Sequence, residues 1–212
     1  MKIKICGLMR ERDVHFCGEL GVDVLGFVVE YPRDVPWNLT RKQAKEFIAA
    51  AGRPTCLVTG GTPESVVALA GELRPDMVQL HYKETIAQTA EIAAELKKSG
   101  IKTIRAVDDD ADIERFCETD IAAILVDSRT SENAATSNLA VDVELFRRIK
   151  KKSTKPLIIA GGITPENVGD ILARTGADWI DVMTGVEHSP GVKDEVKIAA
   201  LMKGAGTMRK NA

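Results

Sequence analysis

Leu157-Ile158-Ile159-Ala160-Gly161-Gly162-Ile163-Thr164-Pro165-Glu166-Asn167-Val168 joins a short apolar run to a glycine pair and then to a proline-led helix start. Four aliphatic residues without polar alternation suit a strand buried on both faces, as in a parallel sheet. The glycines end the run and bare backbone N–H groups, and Pro165 fits the first turn of a helix. The stretch is one strand-to-helix unit whose connecting loop can approach an anion closely, with the positive end of the helix beside it.

Outward from this unit the same alternation runs through the whole chain. Strands are expected at Lys2 to Cys6, Val24 to Glu30, Thr55 to Thr59, Met77 to His81, Thr103 to Val107, Ala122 to Asp127, Leu157 to Ala160 and Trp179 to Met183. A helix candidate follows each of them. Thr40 caps Arg41 to Ala51, Pro63 fits the first turn of Glu64 to Leu73, and Asp142 caps Val143 to Lys152. Gly21, Gly52, Gly100 and Gly176 each stand between a helical stretch and the next strand, where a helix stop belongs. Eight repeats of strand then helix, with no Gly-x-Gly-x-x-Gly first turn, predict a single (β/α)8 barrel over residues 1–212 rather than an open doubly wound sheet. Residues 204–212 are expected to be a frayed tail, and Ser128 to Ala140 a long polar loop over the mouth.

The 29 basic and 31 acidic residues, net charge −2, form no long single-sign run, which argues against a nucleic-acid or anionic-membrane partner and for a metabolite. No stretch approaches the roughly 20 apolar residues of a membrane span, and the start of the chain has too short an apolar run for a signal peptide, so a cytosolic location is expected. Cys6, Cys17, Cys56 and Cys117 are far apart, and no cluster of His, Cys and carboxylate has metal-ligand spacing. The expectation is acid–base chemistry with neither metal nor organic cofactor. Oligomeric state is not legible in the sequence.

In a barrel the reactive groups stand just past the carboxyl ends of the strands, and here those positions are Cys6, Glu30, Thr59, His81, Asp108, Asp127, Gly161-Gly162 and Thr184-Gly185. Gly161 and Gly162 after the seventh strand, with Thr184 and Gly185 after the eighth, make the two loops of a barrel phosphate site; tight turns are the alternative. Asp127 follows five apolar residues, where a carboxyl must be paired or used. Cys6 is either a buried structural cysteine or a base, the latter if a positive neighbour lowers its pKa from about 8.5. His81 either orients a substrate or is a satisfied core histidine, whereas His15 and His188 read as ordinary surface positions.

These residues resemble the phosphoribosylanthranilate isomerase family over nearly the whole chain. The carrying motifs are Lys4-Ile5-Cys6-Gly7, Gly26-Phe27-Val28, Val78-Gln79-Leu80-His81, Ala160-Gly161-Gly162-Ile163 with Asn167-Val168, and Gly185-Val186-Glu187-His188-Ser189-Pro190-Gly191-Val192-Lys193-Asp194. The resemblance implies an Amadori rearrangement of a phosphoribosyl aminoaldose, with Asp127 as the acid that opens the sugar ring and Cys6 as the base that takes the C2′ proton. It also implies that Gly162, Thr184 and Gly185 hold the phosphate and that Asp181 lies beside the ribose. Two stretches depart from the family. Its Ser-Pro-Arg segment, whose arginine faces the anthranilate carboxylate, is here Glu30-Tyr31-Pro32-Arg33-Asp34-Val35-Pro36-Trp37, which leaves three readings: Arg33 reaches that carboxylate, the aligned Trp37 stacks on an aromatic ring, or Arg33 is a solvated loop charge. Its Gly-Gly-Thr-Gly turn after the sixth strand has no counterpart in Ser131 to Leu139. Those departures leave room for a paralogue acting on another phosphorylated sugar amine, or for a catalytically silent barrel that binds a sugar phosphate.

Overall fold

The computed structural model describes residues 1–127 and 141–206. Eight parallel strands form a ring: β1 (Lys2–Ile5), β2 (Val24–Val29), β3 (Thr55–Thr59), β4 (Met77–Leu80), β5 (Lys102–Val107), β6 (Ala123–Asp127), β7 (Leu157–Ala160) and β8 (Trp179–Val182). β1 pairs with β2 on one side and β8 on the other, which closes the sheet. Every expected strand is present, with its ends moved by no more than one residue. The expected mouth loop, Ser128 to Ala140, lies outside the described residues.

The helices between strands are α1 (Glu11–Leu20), α2 (Arg41–Ala50), α3 (Pro63–Leu73), α4 (Ile86–Lys98), α5 (Ile113–Cys117), α6 (Val143–Lys152), α7 (Val168–Thr175) and α8 (Glu195–Gly204). Their starts follow from local chemistry. Thr40 and Gln43 form a reciprocal capping box on α2, Thr85 and Gln88 do the same on α4, and the Asp142 carboxylate accepts from the Leu145 N–H on α6. The run of Lys150, Lys151 and Lys152 ends α6, where cations favour the helix dipole.

Strand parity divides the core in two. Ile3, Ile5, Leu57, Val78, Leu80, Ile124, Val126, Ile159 and Ile180 face the helices in the larger apolar cluster. Val24, Cys56, Met77, Ile104, Ala106, Ala123, Leu125, Ile158 and Ala160 fill the barrel itself. Because successive side chains alternate faces, the inward set continues upward to Cys6, His81, Asp127 and Asp181, so apolar filling at the bottom becomes chemistry at the top.

Three details depart from the expectation. α7 starts at Val168, because Pro165 to Asn167 form a turn instead of the first helical residues. Asn38–Leu39 adds a two-residue strand beside β2, and Glu187–Ser189 pairs with Val192–Lys193 in a small hairpin. Gly204, expected in the frayed tail, is helical and Ala205 is buried, while 207–212 of that expected tail lie outside the described residues. Among the described residues no helix is long and apolar enough to cross a membrane.

Candidate active site

An open cavity of about 820 Å³, counted out to bulk solvent, occupies the carboxyl end of the barrel. Cys6, His81, Asp127, Gly161, Gly162, Asp181, Thr184 and Gly185 all line it. The structure brings together eight of the nine site positions singled out in the sequence. Arg33 does not line this cavity; its guanidinium lies 5.9 Å from the centre of the Tyr82 ring.

Cys6 follows β1 and is 4 % exposed. Gly26 on β2 makes room for it, since a Cβ there would lie 2.9 Å from the Cys6 sulfur. The expected positive neighbour is Lys4, one inward position below. Its effect is outweighed: burial pushes the Cys6 thiol up, Lys4 pulls it down, and the net direction is upward. A positive neighbour is therefore present, but burial outweighs it and the thiol pKa is not lowered.

Lys4 is fully buried and ion-pairs with Asp181 at 2.7 Å. Burial opposes the lysine charge, but the Asp181 carboxylate, together with Cys6 and Cys56, offsets it and holds the Lys4 pKa above its ordinary value. The other Asp181 oxygen, Oδ1, is buried without a hydrogen-bond partner among the described residues, as is Oε1 of Gln79. Both residues line the cavity.

His81 stands at the end of β4 with Nδ1 3.0 Å from Gln79 Nε2 and Nε2 3.7 Å from Asp127 Oδ2. With the Gln79 amide donating, Nδ1 accepts and the ring proton sits on Nε2, facing Asp127. Burial, opposed by Asp181 and reinforced by Lys4 and Arg105, brings the His81 pKa down to about 4, so the ring is neutral. Tyr31 closes this side, donating its hydroxyl to the His81 carbonyl at 2.8 Å.

The glycine loops form the opposite end. Gly161 and Gly162 have φ of 83° and 74°, a left-handed conformation that side chains disfavour. Asn167 fixes the turn, accepting from Thr164 N at 2.7 Å and donating to the Gly162 carbonyl at 2.8 Å. Gly185 presses against this loop, since a Cβ on it would lie 1.8 Å from the Ile163 carbonyl oxygen. The two loops are thus locked edge to edge, with the start of α7 behind them.

Several contributors escaped the sequence reading. Lys4 looked like one polar residue in a strand, although a lysine between Ile3 and Ile5 at an inward position demands a buried counter-charge. Its partner stands at the matching level of β8, with Lys4 and Asp181 paired in register. Glu187 and Lys193 form a second buried pair at 2.8 Å, and Trp37 Nε1 donates to the same Glu187 oxygen at 3.0 Å. Only the length of the shared motif from Gly185 to Asp194 hinted at this network.

Comparison with known proteins identifies the family. The family model for N-(5′-phosphoribosyl)anthranilate (PRA) isomerase matches residues 3–204. The N-(5′-phosphoribosyl)anthranilate isomerase of Cereibacter sphaeroides is 33% identical over 215 residues, covering 97% of this chain and 98% of that one. The crystal structure of phosphoribosyl anthranilate isomerase from Thermotoga maritima matches with a TM-score of 0.82 at 28% identity, over 98% of this chain and 100% of that one. A phosphoribosyl anthranilate isomerase in complex with reduced 1-(o-carboxyphenylamino)-1-deoxyribulose 5-phosphate matches with a TM-score of 0.79 at 27% identity, over 98% and 100% of the two chains. With a family match running from β1 to the end of α8, the chain belongs to the N-(5′-phosphoribosyl)anthranilate isomerase family.

Proposed function

We propose that Asp127 and Cys6 are the proton carriers with which this chain performs its family's reaction, the isomerisation of N-(5′-phosphoribosyl)anthranilate to 1-(o-carboxyphenylamino)-1-deoxyribulose 5-phosphate in tryptophan biosynthesis. One observation carries the assignment: a thiol and a carboxyl open into the same cavity as two interlocked glycine loops. Neither alternative, a different phosphorylated sugar amine or a silent barrel, has a finding in its favour.

Gly161, Gly162, Thr184 and Gly185 hold the phosphate through backbone N–H groups and a hydroxyl. Asp127, as the acid, gives its proton to the furanose ring oxygen; the C1′–O bond breaks and a Schiff base forms between C1′ and the aryl nitrogen. Cys6, whose thiolate form the Lys4 charge favours, then takes the proton from C2′, and the electron pair left behind makes the enolamine. Protonation at C1′ and loss of the C2′ hydroxyl proton give the ketone, so the balance is that of an isomerisation. The buried free oxygens of Asp181 and Gln79 suit donors from ribose hydroxyls. His81, neutral, orients the sugar and adds no charge beside Asp127. Arg33, beside Tyr82 and outside this cavity, adds positive charge that draws in the anionic substrate. The proposed setting is the cytosol, where charge retains a phosphorylated intermediate.

The test follows fluorescence as phosphoribosylanthranilate is consumed, coupled to an enzyme that removes the product. Cys6→Ser and Asp127→Asn should each lower kcat by about 10² to 10⁴-fold with little change in KM. Wild-type rates in either variant would remove that residue from the chemistry.

A further inference from the structure

The β2 exit is where this chain departs from its family, and the structure gives that departure a physical form. Trp37 is 8 % exposed and lines the cavity, in an apolar wall with Val28, Val35, Val58 and Met183. The one polar atom of its indole is turned away, donating to Glu187 Oε1 at 3.0 Å. That oxygen also accepts from Lys193 Nζ at 2.8 Å and Gly191 N at 3.3 Å, and Glu187 is itself 8 % exposed. A buried ion pair therefore grips the ring by its edge and leaves carbon to face the ligand. The same edge of the ring abuts Gly7, directly after Cys6: Trp37 Cδ1, bonded to Nε1, lies 3.4 Å from where a Gly7 Cβ would stand.

Position in the ring of strands adds a second constraint. β1 lies between β8 and β2, and Cys6 stands at its end. A ligand with its phosphate on the β7 and β8 loops and its far end at the β2 loop lays its middle carbons over that thiol. The charge inventory adds a third. Among the described residues no lysine or arginine lines the cavity, and the nearby Lys193 is engaged by Glu187.

Building on the isomerase reading, we propose that Trp37 is the specificity-determining residue at the aryl end: its indole packs on the substrate's aromatic ring, and the Glu187–Lys193 pair positions it. The ring, rather than the carboxylate it bears, then carries recognition. This differs from a clamp by arginine, which selects the carboxylate by paired hydrogen bonds.

The experiment compares kcat and KM for N-(5′-phosphoribosyl)anthranilate and for N-(5′-phosphoribosyl)aniline, which lacks the carboxylate, in wild type, Trp37→Leu, Trp37→Phe and Glu187→Gln. Wild type should keep kcat/KM for the two substrates within about tenfold. Trp37→Leu should raise KM about tenfold for both with a smaller change in kcat, and Trp37→Phe should recover most of that loss. Glu187→Gln, which keeps an acceptor for the indole but loses the charge that holds Lys193, should fall between them. An unchanged KM in Trp37→Leu, a loss confined to the carboxylated substrate, or a wild-type drop beyond a hundredfold without the carboxylate would overturn the proposal while leaving the isomerase reading in place. A wild-type protein that turns over neither substrate would remove both.

Discussion

His81 shows how one side chain records the polarity of its surroundings. Gln79 fixes its tautomer, and burial holds its pKa down to about 4 against 6.5 in the unfolded chain. Between those two values the unfolded state carries a proton that the folded state refuses. The contribution is therefore fully present above pH 6.5 and is lost as pH falls towards 4. Against a His81→Gln variant, wild type should lose roughly 1 to 3 kcal/mol of unfolding free energy between pH 7 and pH 4, the lower figure allowing for partial solvent screening. Its side chain is 29 % exposed, which is why that allowance is needed. Urea titrations of both proteins across that range would read the difference directly, and two curves that fall in parallel would mean that His81 charges freely in the folded protein.

At the scale of elements, the loops after β7 and β8 act as one unit because Gly185 has no side chain. A Cβ 1.8 Å from the Ile163 carbonyl oxygen cannot be accommodated, so Gly185→Ala must push the two loops apart by more than an ångström. Displacement of that size at a positioning site costs up to about 10²-fold in rate. We expect Gly185→Ala to raise KM and to weaken inhibition by inorganic phosphate at least tenfold; inhibition at the wild-type level would place the anion elsewhere. These loops were visible in the sequence because glycines just past strand ends are local signals, as were the strands, whose apolar runs carry their own boundaries. The start of α7 was not, because a proline followed by a glutamate reads as a first turn whether or not a downstream asparagine ties off the loop, as Asn167 does here. The two-residue strand Asn38–Leu39 was equally hidden, being too short for any periodicity and held by its pairing to Val28 and Val29.

Closure of the barrel brings its first and last strands into register, and the Lys4–Asp181 pair sits on that seam, its members 177 positions apart in sequence. Cys6 and Asp127 were legible as site residues because each ends a strand of known parity. The ion pair beneath them was not, because neither residue's surroundings in sequence contain the other, and only a closed ring makes them neighbours. The same pair supports Cys6 electrostatically, since Lys4 is what opposes the upward pull of burial on the thiol. Removing the lysine alone strands a carboxylate that is 8 % exposed, a loss of about 3 to 5 kcal/mol that lowers Tm on the order of 10 °C in a chain of this size. Lys4→Met should therefore be far less stable than wild type, and the double variant Lys4→Met with Asp181→Leu should recover most of the lost Tm, because an apolar pair can replace a buried ionic one. Activity should not return with stability, since Asp181 also faces the ligand cavity. A double variant as unstable as the single one would show that the seam depends on the charge itself; a double variant with wild-type turnover would take Asp181 out of the substrate site.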